Sequence, residues 1–264
     1  MVRSYRVCGW WPRTATRPAW CWRKRGVRFG TLLDEHDVEL LVAPRLLQEL
    51  PLKSTVVTAD ALYCQRAFCA QIVAAGGDYV VIVKGNQPRL QSDIVLLFES
   101  PPEETPFAFA EQRDRHGDRH EVRRVWTSGE LFGYLDWPGA RQVGKLERVA
   151  HHKGQTRHQV RYFVTSLPAP DPHVGQAGAG PERLLRLIRG HWCIENRLHY
   201  VRDVSFGEDA SQVRSGAAPQ VLAALRNAVI GLLRDAGWTN IAAALRYNAW
   251  RPGAALQLVG LTAS

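Results

Sequence analysis

From residue 37 onward, apolar positions along the chain fall into blocks with two distinct periods. Leu40, Leu41, Leu46, Leu47 and Leu50 recur at helical spacing, with Pro44 at an entry or interruption. Thr55–Ala59 (TVVTA) is a short β-branched run that reads as a strand buried on both faces. Gln65–Ala75 returns to helical spacing and stops at Gly76-Gly77, a C-terminal signal. Tyr79–Val83 (YVVIV) is a second buried strand, and Pro88 opens a helix through Phe98. Strand, helix, strand, helix at this spacing predicts a parallel pair joined by a crossover helix.

The texture changes between residues 101 and 180. Val122–Thr127, Val143–Val149 and Gln159–Thr165 are β-rich and separated by charged, glycine-containing turns, so an antiparallel insertion is expected there. Residues 168–180 (PAPDPHVGQAGAG) read as a linker. Arg186–Asp209 then reads as one long helix. A turn near Gly216–Pro219, an apolar helix Gln220–Leu233 and a short helical tail ending at Leu261 follow. The fold class is α/β with a mixed sheet, covered by helices that include Gln65–Ala75 and the segment around Glu195.

Residues 1–30 show neither period. They hold four of the nine tryptophans and eight basic side chains with no acid. A basic aromatic arm for DNA is one reading. A segment foreign to the fold, translated out of frame, is the favoured one. This block also explains most of the net charge of +9. Of the chain's 34 basic groups, those outside it nearly balance the 25 acids and leave the body close to neutral. DNA binding by the body must therefore come from local clusters, and should be weak, non-specific and salt-dependent. No apolar run is as long as a membrane span requires, and no secretion signal is visible. Five cysteines without a CxxC pair suggest reduced thiols and a bacterial-type cytoplasm.

Two carboxylates stand out. Asp60 follows a strand that should be central, and ligands of open α/β sheets sit beyond the carboxyl ends of strands. Capping the next turn is its alternative role. Glu195 lies four residues after His191 and four before His199, on one helical face among aromatic and basic neighbours. A zinc or iron site made of these three is a minor alternative, since one straight helical face closes a tetrahedron poorly.

Two longer segments carry a resemblance. TADALYCQRAFCAQIVAAGGDYVVIVKGNQPRLQSDI and LIRGHWCIENRLHYVRDVSFGEDAS resemble the second-aspartate and glutamate-helix regions of bacterial insertion-sequence transposases of the DDE type, in the H-repeat-associated family. The resemblance covers residues 31–264. It implies an RNase H-like core with a β-rich insertion (101–180) before the last catalytic helix, and Asp60 and Glu195 as the second and third catalytic, metal-holding acids. It implies Mg²⁺, with Mn²⁺ as a substitute, and in-line phosphoryl transfer that cuts the element's ends and joins them to target DNA. Lys84, Asn86, Gln87, Arg189, His191 and Arg202 would be the DNA contacts, and a homo-oligomer is open. The family's first aspartate, in an Ile-Asp-Gly-Lys-like motif on the first strand, has no match. Only Asp34 and Asp37 precede Asp60, so a truncated or frameshifted copy, inactive alone, is expected. A non-catalytic DNA-binding remnant is the other reading.

Overall fold

The computed structural model describes residues 9–12, 35–105, 107–170, 178–194 and 200–261. They belong to two compact units, one ending at His191 and one beginning at Trp192.

The first unit is built on a seven-stranded mixed sheet. In chain order its elements are β1 (Gly9–Pro12), α1 (Glu35–Gln48), β2 (Thr55–Ala59), α2 (Arg66–Ala74), β3 (Asp78–Val83), α3 (Pro88–Glu99), β4 (Ala108–His116), β5 (Arg119–Ser128), β6 (Gln142–His152) and β7 (Gln155–Thr165), then α4 (Pro181–Ile194), whose last turn enters the second unit. The strand order is β1-β2-β3-β7-β6-β5-β4. β2 and β3 are parallel, with α2 as the crossover, as their sequences require. Every other neighbouring pair is antiparallel.

Each residue of β2 and β3 is buried, including Val56, Tyr79, Val81 and Ile82. Strands buried on both faces need apolar cover. α1 supplies Leu46 and Leu47, α2 Phe68 and Ile72, α3 Ile94 and Leu97, and α4 Leu184, Leu185, Leu187 and Ile188. α2 ends as its sequence predicts. Gly76 adopts φ 75°, and the Gly76 and Gly77 amides donate to the Val73 and Ile72 carbonyls.

Three expectations change. Residues 1–30 contain a paired strand, β1, whose sequence GWWP has no readable period. The β-rich insertion has four strands, not three. The extra one, β4, reads AFAEQRDRH and is held by its ladder to β5 rather than by β-branched content. The helix expected over Arg186–Asp209 stops short of Asp209. After residues 195–199, which lie outside the described set, a π-helical turn covers Val201–Ser205 and the chain then reverses. The Glu208 amide donates to the Arg202 carbonyl at 3.1 Å, and its carboxylate pairs with the Arg202 guanidinium. That closure is incompatible with a continuing helix.

The second unit contains this turn, α5 (Ala218–Asp235), α6 (Ile241–Ala249) and α7 (Pro252–Leu258). Val201, Ile230, Leu233, Ile241 and Ala244 form its core.

Candidate active site

Asp60 leaves β2 at its carboxyl end, directly after the fully buried TVVTA. Its backbone stays extended (φ −78°, ψ −177°), so its side chain points to the same face as that of Thr58. Asp60 is half-buried. One carboxylate oxygen, Oδ1, accepts the Leu62 amide at 3.2 Å and caps a single 3₁₀ turn, Ala61–Tyr63. The capping role and a position at a strand end therefore coexist.

The loop after β3 holds the loop after β2. Asn86 Nδ2 donates to the Ala61 carbonyl at 2.7 Å. Gln87 Nε2 donates to the Cys64 carbonyl at 2.9 Å and to Gln65 Oε1 at 3.3 Å. These two amides fix the segment that follows Asp60, which is a positioning role. Lys84 is exposed at the end of β3, the strand parallel to β2. The Cys64 and Cys69 thiols are buried and free. Burial pushes both up, Cys69 to about 12, so neither is a nucleophile near neutral pH.

α4 reaches the same face of β2. His191 Nδ1 lies 3.4 Å from Thr58 Oγ1, and Thr58 is 1% exposed. Nearby on α4, Arg189 forms an ion pair with Asp114 at 2.9 Å, and Arg123 binds the same carboxylate at 2.6 Å. In the second unit Arg202 is buried and paired with Glu208, which Arg226 also approaches at 3.7 Å. Glu195 and His199 lie outside the described residues. Among the described residues no three His, Cys, Asp or Glu side chains gather as a metal site. Asp60 is a hard oxygen donor of the kind a divalent ion prefers, and it supplies one carboxylate.

Of the residues expected from sequence, Asp60, Lys84, Asn86 and Gln87 follow the carboxyl ends of the parallel strands β2 and β3, and His191 lies against Thr58 near the end of β2. Arg189 is engaged by Asp114 and Arg202 by Glu208. Thr58, Asp114 and Glu208 were not singled out by sequence. Thr58 and Asp114 meet partners on distant elements, Glu208 meets its own across a reversal of the chain, and none sits in a motif that marks the pairing.

The Transposase DDE domain matches residues 30–232, and the chain belongs to this family. "H repeat-associated putative transposase YhhI" of Escherichia coli (strain K12) is 31% identical over 214 residues, which is 76% of this chain and 53% of that protein. "Putative transposase YncI" of Escherichia coli O157:H7 is 30% identical over 225 residues, 80% of this chain and 54% of that protein. "Putative protein YbfL" of Escherichia coli (strain K12) is 31% identical over 214 residues with the same coverage as YhhI. The chain spans about half the length of these relatives. Members of the family use a divalent metal ion. No helix among the described residues is long and apolar enough to cross a membrane.

Proposed function

We propose that this chain acts on DNA as a DDE-type transposase protein, with Asp60 and Glu195 as two of the three acids that would hold Mg²⁺. The observation that carries the reading is Asp60 itself, a half-buried carboxylate at the carboxyl end of a buried parallel strand. His191, four residues before Glu195 in sequence, lies over the same face of β2 through Thr58. Both facts support an acid site at this end of the sheet.

Mg²⁺, when bound, supplies Lewis-acid charge to the phosphodiester and to the attacking hydroxyl. The chain's own groups divide the remaining work. The Leu62 amide holds Asp60 Oδ1 and so fixes the carboxylate rotamer. Asn86 and Gln87 keep the loop behind it in place. Lys84 offers a cation to a DNA phosphate at the ends of β2 and β3. The partners are the ends of an insertion element and target DNA, joined by in-line phosphoryl transfer.

In this 264-residue chain the first family acid has no counterpart on β1, whose residues are Gly9, Trp10, Trp11 and Pro12. Asp37 falls in helix α1. With Asp60 and Glu195 as two acids of three, the chain by itself is expected to bind DNA without cutting it. Duplex binding by fluorescence anisotropy, together with nicking of supercoiled plasmid in Mg²⁺ or Mn²⁺, tests both halves. Salt-sensitive binding without nicking is expected. No binding at 50 mM salt would overturn the DNA reading. Nicking that disappears in Glu195→Gln would overturn the incomplete site.

A further inference from the structure

The four-stranded insertion runs past the end of the β3 pairing, with α4 still touching it where Arg189 reaches Asp114 on β4. β7 pairs with β3 only through Tyr162–Thr165. The rest of β7, Gln155–Arg161, pairs with β6 alone. At about 3.4 Å per residue this stretch carries the antiparallel ladder roughly 24 Å past the end of the β3 pairing. Every residue from 151 to 160 is exposed. The β4–β5 and β6–β7 turns meet side by side at the far end, because His120 lies opposite His151 across β5–β6.

Charge is distributed unevenly along this arm. Toward the base, arginines are matched by acids. Arg123 pairs with Asp114 and Glu121, Arg124 with Glu111 and Glu147, and Arg148 with Glu121. At the tip the match fails. Residues 115–120 and 151–158 hold Arg115, Arg119, Lys153 and Arg157 against one acid, Asp118, and they hold five of the chain's nine histidines. Asp118 is already engaged by His152 at 3.5 Å. Arg119 reaches Glu121 at 3.6 Å, and among the described residues Arg115 donates to the Gly117 carbonyl at 3.5 Å. Lys153 and Arg157 have no partner among the described residues.

The geometry points to the tip of this double hairpin, which runs out beyond the Asp60 end of the sheet, as a further contact surface for the sugar–phosphate backbone of duplex DNA. This inference rests on the reading that the chain works on DNA. Charge complementarity selects the partner. Four strands at about 4.8 Å spacing make a tip roughly 14 Å wide, which spans about four phosphates of one strand along the helix axis. Three cations unmatched by acids suit phosphate oxygens and carry no base-reading pattern, whereas His151, His152 and His158 already engage Thr156, Asp118 and Glu147. The arm would thus hold flanking DNA without sequence preference.

The test is anisotropy binding of a random-sequence 30-base-pair duplex to the full chain between 50 and 200 mM salt. It compares the parent, an Arg115→Gln/Lys153→Gln/Arg157→Gln variant and a charge-matched control, Arg45→Gln/Lys53→Gln/Arg214→Gln. All six substituted residues are exposed, and circular dichroism checks that each variant folds. The tip variant should bind at least about tenfold more weakly at 50 mM salt, and its log K against log salt slope should shallow by about 3, one per lost cation. The control should keep the parental slope. Equal losses in both variants would show a net-charge effect, and no loss in the tip variant would place DNA elsewhere; either overturns the tip surface while leaving DNA binding intact. A parent that does not bind overturns both readings.

Discussion

Gly144 on β6 lies opposite Phe163 on β7, at the root of the projecting arm. A Cβ at Gly144 would stand 2.1, 2.3 and 2.8 Å from three atoms of the Phe163 ring. The phenyl ring therefore covers the bare glycine backbone, the usual way an aromatic repairs a strand glycine. Phe163 is 0% exposed and pairs with Ile82 on its other side, so the ring must move by about 1 Å against a closed core. Overpacking of this kind costs about 1–3 kcal/mol, and full burial of the ring argues for about 3 kcal/mol. Gly144→Ala should then lower the folding equilibrium roughly a hundredfold and the melting temperature by about 6–12 °C. Calorimetry or a circular dichroism melt reads this directly. Gly144→Ala/Phe163→Leu should recover at least about 1 kcal/mol relative to the sum of the single changes, because the smaller side chain vacates the contested space. A Gly144→Ala melt within about 1 °C of the parent, or a strictly additive double variant, would refute the packing argument.

Glu208→Gln takes a carboxylate partner from the buried Arg202 guanidinium and should destabilise the second unit by about 3 kcal/mol, seen as an earlier melting transition. Cys64 and Cys69 should resist a thiol reagent at pH 8 in a variant whose other three cysteines are serine, and react at once in denaturant. Their folded-state ionisation is raised, so the folded chain keeps protons that the unfolded chain releases; stability should therefore fall as pH rises from about 9 towards 12, and urea melts that improve over that range would contradict the burial. Asn86→Ala removes the donor to the Ala61 carbonyl and should cost about 1 kcal/mol locally, read as faster hydrogen exchange at the Leu62 and Cys64 amides with little change in the β3 amides.

The parallel β2–β3 pair and its crossover were legible because periodicity, β-branched content and Gly76-Gly77 all agree on the same elements. β4 was not, because AFAEQRDRH has the composition of a solvated loop and is a strand only through its partner β5. The reversal after Ser205 was hidden for a related reason. Arg202 and Glu208 read as ordinary surface charges, and only their pairing shows that the guanidinium is buried. At the site, Asp60 was visible from its place after a strand, and Asn86 and Gln87 from their place after the next one. Their use as clamps on the Asp60 loop depends on hydrogen bonds between loops that a whole crossover helix separates in sequence. The basic tip of the arm escaped notice because its cations are split between two turns far apart in sequence, joined only by the ladder register.

A titration of the chain with Mn²⁺, followed by the electron paramagnetic resonance signal of the free ion, tests most directly whether Asp60 and Glu195 act together. If the two acids share an ion, the parent takes up Mn²⁺ at one site, and both Asp60→Asn and Glu195→Gln abolish that uptake while their circular dichroism spectra stay parental. Uptake that survives in either variant would contradict the shared site.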